Sequence, residues 1–144
     1  MSLSEKGIII RRTLESDLRS IYLAVSEISV LTADALTADS LADLFASDSS
    51  VMYSAVRKKQ LLGFILGTVK ENDAVIEKFF VKEKFRNCGI GSLLLEKFSL
   101  RSKKAGSCNF LIALHIENIQ TLNFFIKRGF VQSGNSINLR KTDL

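Results

Sequence analysis

Apolar and polar positions change period several times along this chain, and each change predicts an element. Residues 8–12 form a short β-prone run. Behind it Leu14, Leu18, Ile21 and Val25 fall at helical spacing, predicting a helix over 13–27. Thr13 is its expected N-cap, with Glu15 and Asp17 in the first turn, where acids favour the helix dipole. A second helix is expected over 40–46, with Leu41, Leu44 and Phe45 on one side and Asp43 on the other. The β-branched and aromatic runs 51–57, 60–70 and 74–82 predict three successive strands, separated by turn segments at 57–59 and 71–73. Around Gly91 the period becomes helical again: Ile90, Leu94, Phe98 and Arg101 mark successive turns, and Ala105-Gly106 closes the element. A buried strand over 110–114, a short helix over 118–128 stopped by Gly129, and a terminal hairpin of 130–132 with 137–140 complete the chain. The order is β-α-α-β-β-β-α-β-α-β-β, with no internal repeat and no linker, so one mixed α/β domain over residues 1–144 is expected.

Composition narrows the class. With 144 residues and 47% of them hydrophobic, the chain can bury enough surface to offset its ordering entropy, which excludes disorder. It has no proline, so glycine carries the punctuation. The longest nearly apolar run, residues 61–69, is far short of the roughly twenty residues of a membrane helix, and the N-terminal segment lacks the apolar core of a signal peptide. Cys88 and Cys108 are too few for a disulfide framework, so two reduced thiols in a cytoplasmic protein are expected. One histidine argues against a metal site.

The segment richest in chemistry is 80–94, where a strand enters the turn Arg86-Asn87-Cys88-Gly89-Ile90-Gly91-Ser92 and then an amphipathic helix. A helix starting there aims unpaired N–H groups and its positive dipole end into the turn, which makes an anion site. Gly89 and Gly91 let backbone approach a pyrophosphate closely. A P-loop would need G-x-x-x-x-G-K-[ST], which is absent; a dinucleotide fingerprint would need Gly or Ala where Leu94 stands and an acid about twenty residues later.

Arg86-x-x-Gly89-x-Gly91 resembles the [QR]-x-x-G-x-[GA] acetyl-coenzyme A motif of the GNAT N-acetyltransferase superfamily. The segment 118–130 is similar to that superfamily's later motif, N-x-x-A-x-x-[LF]-Y-x-x-x-G-F: Asn118, Phe124, Gly129 and Phe130 match, while Thr121 stands for the usual Ala and Phe125 for the usual Tyr. The resemblance implies a splayed mixed sheet of six to seven strands flanked by about four helices. It also implies acetyl-CoA as cofactor: main chain at Phe79 and Val81 pairing with pantetheine amides, Asn87, Cys88, Gly89, Ile90, Gly91 and Ser92 cradling the pyrophosphate, Asn118 facing the pantetheine, and Phe125 beside the sulfur. Glu83 stands where the family often has proline, a change expected to loosen the turn.

Acetylating a lysine-like amine requires removing a proton, which at pH 7 costs roughly 4.6 kcal/mol for a pKa near 10.4. Glu77 is the candidate base, nine residues before Arg86 and, by period-two alternation, on the face of Phe79 and Val81. The family's tyrosine protonates the departing thiolate, a role Phe125 cannot fill; Tyr53, Tyr22, Cys88 and solvent remain as substitutes, and His115, just after the late strand, is a further candidate. Two functions follow: an N-acetyltransferase acting on a primary amine of a small molecule or peptide, and, as the alternative, a CoA-binding sensor or regulatory module without turnover.

The net charge of +5 invites a nucleic-acid reading, but no such motif is present. Residues 1–77 hold 8 basic and 11 acidic side chains (−3), and residues 78–144 hold 12 and 4 (+8). The basic half carries the glycine turn, where a phosphate-bearing cofactor would dock. The region of Glu27, Asp34, Asp39, Asp43 and Asp48, free of Lys and Arg, is the expected acceptor wall, which favours a cationic amine. Dimerisation, common in the family, is left open by the residues.

Overall fold

A computed structural model describes residues 2–28, 37–113, 119–132 and 138–142. Strands β1 (Ile8–Arg12), β2 (Ser50–Arg57), β3 (Gln60–Lys70), β4 (Asp73–Val81), β5 (Asn109–Ala113), β6 (Val131–Gln132) and β7 (Asn138–Thr142) form one sheet in the order β1-β2-β3-β4-β5-β7-β6. All pairings are antiparallel except β4 with β5. Helices α1 (Leu18–Ile28), α2 (Ala38–Ala46), α3 (Ile90–Lys104) and α4 (Ile119–Lys127) cover it. The element order is the one the periodicity predicts.

The two faces bury separate cores. Ile21 and Val25 of α1 and Leu41 of α2 pack on Met52, Val56, Leu61, Phe64 and Leu66. On the other face Ile90, Leu94 and Phe98 of α3 and Phe125 of α4 pack on Ile65, Ala74, Ile76, Phe110 and Ile112. Among the described residues no helix is long and apolar enough to cross a membrane.

The start of the first helix departs from expectation. Thr13 does not cap it: its hydroxyl shares a buried hydrogen bond with Ser54 at 2.8 Å. Asp17 performs the capping instead, accepting the Leu14 N–H at 2.7 Å while Arg11 grips the same carboxylate at 2.7 and 3.1 Å. A short 3₁₀ turn, Glu15–Asp17, therefore precedes α1. Burial pushes the Asp17 pKa up, but the bonds from Arg11 and Leu14 outweigh it and hold the carboxyl below its ordinary value. A lowered carboxylate pKa contributes stability that is complete above the unfolded-state value, about 3.9, and is lost as pH falls through the folded one. Asp17→Asn is thus expected to lower urea stability at pH 7, with the gap to wild type closing below about pH 4. A gap that stays constant down to acid pH would show that the charge contributes nothing.

The other helix missed at its start is α2, which begins at Ala38 because Thr37 caps it, accepting the Ser40 N–H at 3.0 Å.

One irregularity shapes the site. Between β3 and β4 the register steps from Leu66↔Lys78 to Gly67↔Ile76, leaving Glu77 without a cross-strand partner, a β-bulge. Gly67 makes it possible, since a Cβ there would stand 2.1 Å from the Val75 carbonyl oxygen and 2.9 Å from the Phe98 ring. The parallel pairing with β5 ends at Ile76↔Ile112, at the bulge, while β4 continues to Val81. A bulge bends the strand that carries it, and beyond this one β4 runs on with no paired residue of β5 among the described residues, as in a splayed sheet.

Candidate active site

Where β4 leaves β5, the strand end, the turn behind it and the facing parts of α3 and α4 enclose a cleft of about 590 Å³. Phe79, Val81, Arg86, Asn87, Gly89, Gly91 and Ser92, all anticipated from sequence, line it. Its far wall belongs to α4 and the residue after it: Gln120, Thr121, Asn123, Phe124, Lys127 and Arg128. Of these the sequence motif singled out only Thr121 and Phe124. The helical spacing of the others on one face was a signal, but deciding which face of α4 meets the cleft requires the packing.

The turn from β4 into α3 is closed by its own bonds. Phe85 N–H donates to the Lys82 carbonyl at 2.8 Å, Arg86 N–H to Glu83 at 3.2 Å, and the Cys88 thiol to Phe85 at 2.7 Å. The expected loosening at Glu83 is therefore not seen; Glu83 opens a 3₁₀ turn, Glu83–Phe85, that needs no proline. Asn87 and Gly89 then take left-handed backbone, with φ 62° and 93°. The first bond of α3 runs from Leu93 N–H to the Gly89 carbonyl at 3.1 Å, so the N–H groups of Ile90, Gly91 and Ser92 have no acceptor within the helix. Above Gly89 the space is open, since a Cβ there would meet nothing within 4 Å.

Gly91 has a second role that spacing did not show. A Cβ at that position would lie 3.1 Å from both the Phe79 and Phe124 rings, so its bareness lets the first turn of α3 settle on the aromatic wall. Ile90 is buried in the core and can offer the cleft only its N–H. Cys88 does not line the cleft; its thiol faces the turn.

Arg86 ties the two sides together, donating through Nε to the Val81 carbonyl at 2.8 Å and through Nη1 to Gln120 Oε1 at 3.1 Å. Arg128 does the same higher up. Its guanidinium carbon sits 3.6 Å from the Phe124 ring centroid, Nη1 donates to the Phe124 carbonyl at 3.0 Å, and Nη2 donates to Ser92 Oγ. Burial lowers the Arg128 pKa, which still leaves the guanidinium charged at neutral pH.

Two expectations are corrected by placement. Phe125 does not lie on the cleft wall: it is fully buried, with ring centroids 5.1 to 5.2 Å from Phe79, Phe124 and Phe130. Phe124, its neighbour, takes the wall and stacks on Phe79 at 5.1 Å. Glu77 does not share the face of Phe79 and Val81, because the bulge falls between them and resets the alternation. Ile76, Phe79 and Val81 all pack on the α3/α4 core, the first two lying three positions apart where strict alternation would require an even offset. Glu77 is exposed and accepts a hydrogen bond from Thr68 Oγ1 at 3.3 Å. Thr68 follows Phe64 and Leu66 in alternation, so Glu77 presents its carboxylate on the α1/α2 side. Tyr22 and Tyr53 are half-buried among core residues and neither lines the cleft. Asn118 and His115 lie outside the described residues.

A cleft at a splayed strand pair, with a helix N-terminus on one wall and cations on the other, accords with the comparisons. The acetyltransferase (GNAT) domain model matches residues 21–141. The PaiA N-acetyltransferase of Thermoplasma acidophilum, solved in complex with coenzyme A, superposes with a TM-score of 0.80 at 19% identity, covering 94% of this chain and 98% of that one. Ard1 of Thermoplasma volcanium gives 0.79 at 23% identity, covering 96% and 99%. NAA60 of Arabidopsis thaliana, in complex with a bisubstrate analogue, gives 0.80 at 14%, covering 94% and 98%. No curated protein sequence matches the chain. These identities speak for the fold; the family model, spanning most of the sequence and both motifs, carries the assignment, and the chain belongs to the GNAT acetyltransferase family.

Proposed function

We propose that this protein is an acetyl-CoA-dependent N-acetyltransferase that acts on a primary amine of a small molecule or peptide. The observation that carries the reading is the parting of β4 from β5 directly above a helix N-terminus whose first N–H groups lack intrahelical acceptors. The residues fit coenzyme A. Open space over Gly89 and the N–H groups of residues 87–92 would take the pyrophosphate, helped by the charge of Arg86 and Lys127. The edge of β4 at Phe79 and Val81, beyond its pairing with β5, would pair with the pantetheine amides. Phe79, Phe85 and Phe124 offer apolar surface to the arm.

When bound, the cofactor supplies an acetyl thioester with a thiol of pKa near 8.5 as leaving group. The chain's own contribution is to remove the amine proton, and Glu77 is the group assigned to it. Its carboxylate stands where the sheet opens and is held by Thr68. The acceptor is expected to approach from the α1/α2 side, where Asp39, Asp43 and Asp48 are exposed and would favour a cationic amine. The side chain of Glu27 and all of Asp34 lie outside the described residues. The free thiols of Cys88 and Cys108 suit the cytoplasm.

Thiol release from acetyl-CoA across a panel of polyamines, amino-terminal peptides and lysine peptides tests the reading. Turnover with any of them supports it. Tight CoA binding with no turnover on the whole panel would instead favour the sensor or regulatory module, a reading to which α4 lends weight because it carries no tyrosine to bring a phenol to the sulfur.

A further inference from the structure

Arg128 stands one residue beyond α4 and spans to the first turn of α3. Its contacts include the face of the Phe124 ring, the Phe124 carbonyl and the Ser92 hydroxyl. Phe124 in turn stacks on Phe79 of β4 and touches the space that Gly91 leaves bare. The wall of the cleft is thus a layered contact of Gly91, Phe124 and Phe79, with one guanidinium fastening its outer edge to the helix whose N–H groups form the anion cradle.

We infer that Arg128 is a positioning residue: it sets the orientation of the first turn of α3, and through it the affinity of the cradle for the cofactor's phosphates, without itself supplying the attracting charge. The inference rests on the CoA-binding reading above. The geometry separates the two roles of a cation. A guanidinium is planar and carries several N–H donors in a fixed fork, so it can lie flat on a ring while bonding a carbonyl and a hydroxyl in different directions. Nη1 points at the Phe124 carbonyl and Nη2 at Ser92 here. Lys127, beside it on the same wall, is exposed and is the cation placed to meet the phosphates directly. An ammonium at position 128 would keep the charge and lose the fork and the stacking.

The test compares CoA with pantetheine, which lacks the phosphates, in wild type, Arg128→Met, Arg128→Lys and Lys127→Met, by calorimetric titration at several salt concentrations. Arg128→Met is expected to weaken CoA about tenfold or more, with pantetheine affinity unchanged. Arg128→Lys is expected to recover little of the loss. The slope of log Kd against log salt should stay as in wild type for both, whereas Lys127→Met should flatten it. Recovery by lysine, or a flattened slope in Arg128→Met, would mean direct charge recognition and overturn the inference. Equal loss for CoA and pantetheine would mean general loosening of the wall and also overturn it. If wild type binds no CoA, the cofactor reading fails first; if wild type binds and Arg128→Met binds equally well, only the positioning role fails.

Discussion

Replacing Glu77 with glutamine is expected to lower kcat at pH 7 by about 10²- to 10⁴-fold, the usual span for removing a general base. The demand on that base is large, since an amine of pKa near 10.4 is protonated at pH 7 and freeing it costs roughly 4.6 kcal/mol. Position and exposure favour Glu77. It is the bulge residue at which β4 leaves β5, its carboxylate is accessible, and the Thr68 hydroxyl restrains it at 3.3 Å. Glutamine keeps the size and can still bond Thr68, so the substitution removes the proton acceptor and leaves the shape. The loss has a pH signature. As pH approaches the amine's own pKa the acceptor needs no base, so the deficit of Glu77→Gln should shrink steadily between about pH 7 and 10. Steady-state kinetics of both proteins over that range read it out. A deficit below about threefold at pH 7, or one independent of pH, would place the base elsewhere.

The largest effect on stability is expected at Phe125. Truncating it to alanine should cost about 3–5 kcal/mol, because a fully buried ring touching Phe79, Phe124 and Phe130 would leave a cavity that three rigid neighbours cannot fill. Thermal unfolding would show it as a fall in Tm on the order of 10 °C, at about 2–4 °C per kcal/mol for a chain of this size. A fall of less than about 3 °C would mean that the ring is not core. Phe125→Tyr is the informative companion, since it restores the family's residue. Its hydroxyl would enter an aromatic cluster and be left short of a partner, a loss of about 1–3 kcal/mol, with no gain in kcat. A clear rise in kcat would show that the side chain at 125 reaches the sulfur after all.

Much of the site was legible because it is local. A strand, a turn with glycines at fixed intervals and a helix follow one another within residues 80–94, and the N–H cradle arises from that succession alone. The motif at 118–130 was legible for the same reason. Cap geometry was partly legible: Thr37 and Ser40 stand at capping-box spacing, whereas the use of Asp17 as the cap depends on Arg11, brought to it from β1. Gly67 carried a readable hint, because glycine inside a strand marks a bulge or a close approach, but nothing local said on which strand the extra residue would fall.

Glu77 and Phe125 show where such reading stops. Glu77 was placed by counting along one strand, and Phe125 by its position in the motif that the family resemblance supplied. At Glu77 a bulge changed the count, a matter of how β3 and β4 register, and at Phe125 the rotation of α4 about its axis chose Phe124 for the cleft and Phe125 for the core. Residue types and spacings by themselves determined the order of elements, the anion turn and the family, since each depends on neighbours within a few turns of chain. Only the tertiary structure decided which side chains share the cleft, because register and helix rotation are settled by packing between segments far apart in sequence.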